Sequence, residues 1–183
     1  MQQFMTKNKE QNVILKAQTG LGKTEAALLW IGNSKGFFTL PLRSATNSIF
    51  ERLTNQIIST ENKTKIGLLH SNFKDVYIEN YDGNESEILK YITSTRQFSL
   101  SVTVCTIDQL FDFVFKAAGF EMKLATLSYS KIVIDEVQMY SPELIGYLLW
   151  GLKQITEFGG KFSIITATFP PVLCYFLKKL KID

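Results

Sequence analysis

The stretch from Ala17 to Thr24 reads Ala-Gln-Thr-Gly-Leu-Gly-Lys-Thr, and no other part of the chain limits the possible fold as tightly. It follows the apolar run Val13-Ile14-Leu15 and opens the helix-forming run Glu25-Ala26-Ala27-Leu28-Leu29. Strand, glycine-rich turn and helix in that order predict a phosphate-binding loop. Gly20 and Gly22 let the backbone curl until successive N–H groups face phosphate oxygens. The following helix adds the partial positive charge of its N-terminus. Lys23 is placed to reach the β- and γ-phosphates, and the Thr24 hydroxyl to ligate Mg²⁺. The candidate nucleotide-binding set is therefore Gln18, Thr19, Gly20, Leu21, Gly22, Lys23, Thr24 and Glu25. The competing reading is a plain flexible turn after a strand, because the first glycine of the usual pattern is here Ala17.

A nucleotide site also needs a carboxylate for the metal. Residues 132–136 read Ile-Val-Ile-Asp-Glu, a β-branched run suited to a strand buried on both faces. Asp135 then stands at the carboxyl end of that strand, where open α/β sheets place ligands. It is the second candidate metal residue beside Thr24. Glu136 is the candidate general base for an attacking water, so Lys23, Asp135 and Glu136 form the expected catalytic set. Both patterns in the correct order leave little room for a strand that merely ends in two solvated acids.

The rest of the chain keeps the same rhythm. Strands are expected at 12–17, 36–40, 65–69, 101–105, 131–134 and 161–166, and helices at 23–32, 44–58, 85–96, 107–117, 142–157 and 171–180. Alternation of this kind predicts an α/β fold, a mainly parallel sheet with helices on both faces. The 142–157 helix has the clearest apolar face, through Leu144, Ile145, Leu148, Leu149, Leu152 and Ile155. Ser141 and Pro142 suit its cap and first turn, and Trp150 is expected to pack. Residues 72–87, with Asp75, Glu79, Asp82, Glu85, Glu87 and the turn signal Asp82-Gly83-Asn84, read as a polar surface insertion. The C-terminal Lys178, Lys179 and Lys181 read as a solvated helix face.

Bulk properties exclude several classes. The 183 residues suit one domain with a sizeable core. A net charge of +3 does not by itself announce a nucleic-acid partner. His70 is the only histidine, and Cys105 and Cys174 are the only cysteines, which argues against a zinc or di-metal histidine site and fits a reducing cytoplasm. The polar N-terminus shows no signal peptide, and no apolar run approaches a membrane span. A cytoplasmic monomer without membrane attachment is expected.

Four further segments fall at expected strand ends: Pro41-Leu42-Arg43-Ser44, His70-Ser71, Thr106-Ile107-Asp108-Gln109 and Thr166-Ala167-Thr168. Each alone suits a helix cap. Together they line the sheet edge that carries the phosphate loop, where polar groups can meet a nucleic-acid backbone without reading its sequence. With Ala17 to Ala27, Asp135-Glu136-Val137-Gln138, Ser141 to Leu144 and Thr166 to Pro170, they make the chain resemble the first RecA-like lobe of a superfamily-two helicase. The continuations Lys-Thr-Glu-Ala-Ala, Thr-Ile-Asp-Gln-Leu and Ser-Pro-Glu-Leu resemble the CRISPR-associated helicase of type I systems, over about residues 11–175.

The resemblance implies a RecA-like P-loop NTPase lobe that binds ATP and Mg²⁺ and drives translocation and unwinding of single-stranded DNA. It implies contacts to the strand from Arg43, Ser44, His70, Thr106 and Gln109. Gln138, Thr166 and Thr168 would couple the two sites. As partners it implies an RNA-guided surveillance complex, a nuclease domain and a second RecA-like lobe carrying an arginine finger. The chain is thus expected to be a single first lobe over residues 1–183, the second lobe and nuclease lying outside it, and to hydrolyse ATP weakly or not at all by itself. Gln18 replaces a common proline, Gln138 a common histidine and Phe169 a common leucine. The alternatives are a lobe of another superfamily-two RNA or DNA helicase, or a nucleotide-sensing interaction module.

Overall fold

A computed structural model describes residues 1–18, 20–57, 65–80, 84–180 and 182, with backbone alone at 79 and 80. Among them, six strands form one parallel sheet: β1 (Val13–Lys16), β2 (Gly36–Leu40), β3 (Ile66–Leu69), β4 (Val102–Thr106), β5 (Lys131–Asp135) and β6 (Lys161–Thr166). Their spatial order is β1-β6-β5-β2-β4-β3. The helices are α1 (Gln2–Lys7), α2 (Lys23–Ile31), α3 (Arg43–Arg52), α4 (Phe73–Asn80), α5 (Glu85–Arg96), α6 (Ile107–Phe111), α7 (Phe120–Leu127), α8 (Pro142–Glu157) and α9 (Pro171–Lys179).

The strands read as apolar runs because both faces of the sheet are covered. Side chains alternate between two cores along each strand. Phe37, Leu68, Cys105, Ile132, Ile134 and Ile164 enter the core made with α4 to α9. Phe38, Ile66, Val104, Val133 and Ile165 enter the one made with α1, α2 and Leu53. In the first core α8 seats Leu148, Leu149, Leu152 and Ile155, the face read from its spacing. Its Ser141 cap accepts the Leu144 N–H at 3.3 Å. In the second core Trp30 is fully buried and donates its indole N–H to the carbonyls of Asn8 (3.1 Å) and Gln11 (3.3 Å). This bond pair ties α1 and the following turn to α2. The Lys131 ammonium stands 5.5 Å from the Trp30 ring centroid and donates to the Trp30 carbonyl.

Several expectations need correction. The 72–87 stretch is not a polar insertion. Phe73–Asn80 is helical and sends Phe73 and Tyr77 into the core, where the Tyr77 hydroxyl meets the Leu68 backbone and the Thr95 hydroxyl. Lys74 and Asp75 between those anchors, and Glu79 after them, hid the helical spacing. The Asp82-Gly83 turn and Lys181 lie outside the described residues. The 107–117 helix breaks after Phe111 into a 3₁₀ turn (Asp112–Phe115) and ends at Lys116, which has a positive φ. The 44–58 helix is Arg43–Arg52 followed by a π-helical turn to Ile57, and residue 58 lies outside the described set. Trp150 is 51% exposed instead of packed, with Lys153 over its ring. Helices α1, α4 and α7 were not read from the sequence.

Candidate functional site

All six strands point their carboxyl ends the same way, so the loops that follow β1, β5 and β6 converge. The Ala17 N–H donates to the Thr166 carbonyl at 2.9 Å, which carries the β1·β6 pairing into the phosphate loop. Gly20 and Gly22 then take φ of +86° and +77°. A Cβ at Gly20 would meet nothing within 4 Å, so glycine serves there for backbone conformation alone. Gly22 is the N-cap of α2 and aims the free N–H groups of its first turn into the loop. Leu21 is exposed at the loop tip, Gln18 precedes it, and Thr19 lies outside the described residues.

Lys23 and Thr24 are both buried in the first turn of α2. The Lys23 ammonium sits 2.6 Å from Glu136 Oε1 and 3.9 Å from Asp135 Oδ1. Motif residues more than a hundred positions apart therefore meet at one point. Asp135 ends β5 with 6% of its surface exposed, and its Oδ1 accepts the Glu136 N–H at 2.9 Å. Burial pushes its carboxyl up to about 6, with the Lys23 charge pulling the other way and the Glu136 charge adding to the rise. Burial also pushes Glu136 upward, but hydrogen bonds from Lys23 and Gln138, with the Lys23 charge, outweigh it and hold that carboxyl below its usual value. Two adjacent acids thus differ in proton affinity because one is enclosed and the other is bridged.

Glu136 adopts φ +50° and ψ +45°, the left-handed region, which costs a non-glycine residue about 1–2 kcal/mol. Its N–H donates to the Ile165 carbonyl at 3.0 Å, and its carbonyl accepts the Met139 N–H at 2.9 Å. These bonds hold the turn that swings the Glu136 carboxylate back over the phosphate loop. No sequence signal announces such a backbone.

Gln138 extends the network. Its amide N–H donates to Glu136 Oε2, and its Oε1 meets the Thr166 hydroxyl. Thr166 is fully buried at the end of β6, where its Oγ1 also contacts the Thr168 carbonyl (2.8 Å) and accepts the Thr168 N–H (3.2 Å). Lys23, Glu136, Gln138, Thr166 and Thr168 therefore form one hydrogen-bonded line across β5 and β6. Glutamine at 138 reaches both neighbours because its amide offers a donor and an acceptor together.

The other expected site residues sit further along the same edge. Arg43 and Ser44 are exposed at the start of α3. His70 directly follows β3 and is buried, with its Nε2 at 2.8 Å from Asn47 Oδ1 and its Nδ1 accepting the Asn72 N–H at 3.1 Å. Arg43 donates to the Asn72 side-chain carbonyl at 3.2 Å. Thr106 is buried at the end of β4, while Gln109 is half-buried and donates to Asp108. Glu25 pairs with Arg52 through one carboxylate oxygen, and its other oxygen lies beside Gly22. Sequence reasoning missed Gln2, whose side-chain amide lies beside Gly22, and the two asparagines that fix His70.

The donors present fit a magnesium nucleotide. Thr24 and Asp135 offer hard oxygens, Lys23 a point charge, and the loop a curled backbone at a helix N-terminus. Among the described residues no group of three His, Cys, Asp or Glu converges. Mg²⁺ held partly by substrate phosphates requires no such cage.

Comparison with known proteins adds an independent line. The DEAD/DEAH box helicase family model matches residues 1–174. The CRISPR-associated nuclease/helicase Cas3 of Methanothermobacter thermautotrophicus is 29% identical over 176 residues, 94% of this chain and 21% of that protein. A crystal structure of T. fusca Cas3 with ADP is similar with a TM-score of 0.76 at 21% identity, over 98% of this chain and 21% of that one. A chain of a CRISPR RNA-guided surveillance complex, pre-nicking, is similar with a TM-score of 0.63 at 20% identity, over 94% of this chain and 18% of that one. At these identities the solved structures speak to the fold. The chain spans between a fifth and a quarter of the length of the curated relatives it matches.

Proposed function

The chain belongs to the DEAD/DEAH box helicase family, and from that premise we propose that it is the ATP-binding lobe of a Cas3-like helicase that moves single-stranded DNA. The observation that carries this reading is the meeting of Lys23, Asp135 and Glu136, joined through Gln138 to Thr166. It supports hydrolysis over simple nucleotide storage. Glu136 has one oxygen on Lys23 and the other on Gln138, so a proton taken up at Glu136 would be felt at the end of β6.

In this reading Gly20, Gly22 and the first turn of α2 bind the phosphates. Lys23 neutralises their charge. Thr24 and Asp135 would hold Mg²⁺, which supplies electrostatic stabilisation of the transferring phosphoryl group when bound. Asp135 is positioned for that task by burial and by its bond to the Glu136 N–H. Glu136 orients and deprotonates the attacking water. Gln138, Thr166 and Thr168 transmit the change to the strand-binding edge, where Arg43, Ser44, His70, Thr106 and Gln109 lie. Cas3-like partners would follow: an RNA-guided surveillance complex, a nuclease domain and a second lobe. An arginine supplied in trans adds about 10³ to 10⁵ in rate in NTPases that use one, so slow turnover is expected of this lobe by itself.

The test is binding and single-turnover hydrolysis of ATP, with and without Mg²⁺. The expected result is that Lys23→Ala loses nucleotide binding while Glu136→Gln keeps it and loses hydrolysis. Equal ATP affinity in the wild type and Lys23→Ala would refute the assignment. A DNA preference is checked by comparing oligo-dT with oligo-U, and tighter binding of oligo-U would favour an RNA helicase.

A further inference from the structure

A second concave site lies on the sheet's carboxyl edge, at the end remote from the phosphate loop. It is a cleft of about 430 Å³ lined by His70, Ser71, Phe73, Arg96, Gln109 and Lys123. The strand order puts four to five strand spacings, roughly 20 Å, between it and β1, and two to three, roughly 10–15 Å, between it and β5, and none of its lining residues belongs to the phosphate loop or to the Asp135-Glu136 pair. None of the helicase-like segments read from the sequence includes Phe73, Arg96 or Lys123.

The charges in this cleft are unevenly committed. Lys123 is ion-paired with Asp112 and also donates to the Gln109 carbonyl at 3.4 Å. Asp108 accepts from Gln109 at 3.1 Å. Burial and the Arg43 charge disfavour a charged His70, while Asp108 and Asp75 favour it. Arg96 differs from all of these. It is exposed at the end of α5, its guanidinium carbon stands 5.6 Å from the Phe73 ring centroid, and it pairs with no carboxylate among the described residues. An aromatic face holds a guanidinium without using its N–H donors, which stay available for an oxyanion. The Ser71 hydroxyl and the Gln109 amide add neutral hydrogen-bonding groups.

The occupant is indicated by continuity. Asn72 donates its N–H to His70 and accepts from Arg43, so the cleft joins directly to the start of α3. A strand lying along these loop ends would pass the mouth of the cleft after leaving Arg43. We propose that the cleft holds a backbone phosphate of a single nucleic-acid strand on the Arg96 guanidinium, an anchor separate from the ATP site. This rests on the strand-binding reading above and adds to it a residue that reading does not contain.

The experiment is fluorescence anisotropy of labelled oligo-dT against salt concentration, using the whole chain. One phosphate contact fewer lowers the slope of log affinity against log salt by about 0.7 for single strands. Arg96→Ala is therefore expected to bind roughly eightfold more weakly at about 50 mM salt and to converge with the wild type near about 1 M. Arg96→Lys should keep the slope and recover part of the affinity. Because Arg96 is exposed, unchanged circular dichroism is expected for both variants. An Arg96→Ala curve that superposes on the wild type overturns the proposal while the strand-binding reading stands. A loss equal at all salt concentrations also overturns it. Displacement of oligo-dT by poly-glutamate at equal charge would assign the cleft to an acidic protein instead. No binding of oligo-dT by the wild type at any salt would remove the strand-binding reading, and the anchor with it.

Discussion

His70 offers a sharp test of the packing because the chain has no other histidine. Its Nδ1 accepts the Asn72 N–H, so the ring proton of the neutral form must sit on Nε2, facing Asn47 Oδ1. Burial holds its pKa below the ordinary value of 6.5, and Arg43 adds to the depression against Asp108 and Asp75. Protonation would turn Nδ1 into a donor facing another donor. Losing that acceptor in a buried setting costs about 1–3 kcal/mol. The folded state binds the proton less well than the unfolded state, so stability rises with pH below 6.5. The contribution is complete above 6.5 and is lost as pH falls below it. Urea unfolding of the wild type and His70→Gln between pH 7.5 and 5 measures this, and imidazole proton resonances give the titration directly. The expected result is a wild-type advantage at pH 7.5 that shrinks by about 1–2 kcal/mol toward pH 5, the linkage ceiling for one proton over 1.5 pH units being about 2 kcal/mol, or roughly 0.5–1 M in urea midpoint at a slope near 2 kcal/mol/M. An imidazole titrating at or above 6.5, or a pH-independent difference, would refute the tautomer and the burial argument together.

Two other outcomes follow from particular contacts. Trp30→Ala removes a fully buried ring and both bonds to the 8–11 turn, so it should cost about 3–5 kcal/mol in urea unfolding and expose α1 to limited proteolysis. Gln138→Leu breaks the line between Glu136 and Thr166 without touching the phosphate loop. Single-turnover ATP hydrolysis should fall about 10- to 100-fold with nucleotide affinity kept, and a rate equal to the wild type would remove Gln138 from the coupling path.

The parts of the fold that could be read in advance share one physical trait. Strands such as Ile132-Val133-Ile134 are buried on both faces, so their apolar runs are continuous and their ends are marked by polar residues. The phosphate loop was legible for a different reason, since few backbones other than a tight anion-binding turn need Gly20 and Gly22 before Lys23. The pairing of Lys23 with Glu136 followed only from placing two strand ends together. Helices α4 and α7 escaped because each seats only a few residues in the core among polar neighbours. Phe73 and Tyr77 carry the first, and Leu127 the second. The local pattern of such short elements is weaker than the tertiary contacts that select them. Trp150 misled in the opposite sense: a large aromatic on an amphipathic helix lies beside the apolar stripe, not within it. Neither the left-handed turn at Glu136 nor the asparagine clamp on His70 leaves a trace in composition or spacing.

The left-handed backbone at Glu136 has a consequence for anyone who engineers this domain for robustness. A search guided by backbone strain alone would choose Glu136→Gly, because relieving that φ is worth about 1–2 kcal/mol and the backbone bonds to Ile165 and Met139 would survive, yet glycine's unfolded-state entropy and the lost partner of buried Lys23 offset that gain. The variant keeps the backbone turn and is expected to fold. It would also lack the carboxylate on which the proposed hydrolysis depends, so this position should be withheld from any stabilising library and screened by turnover first.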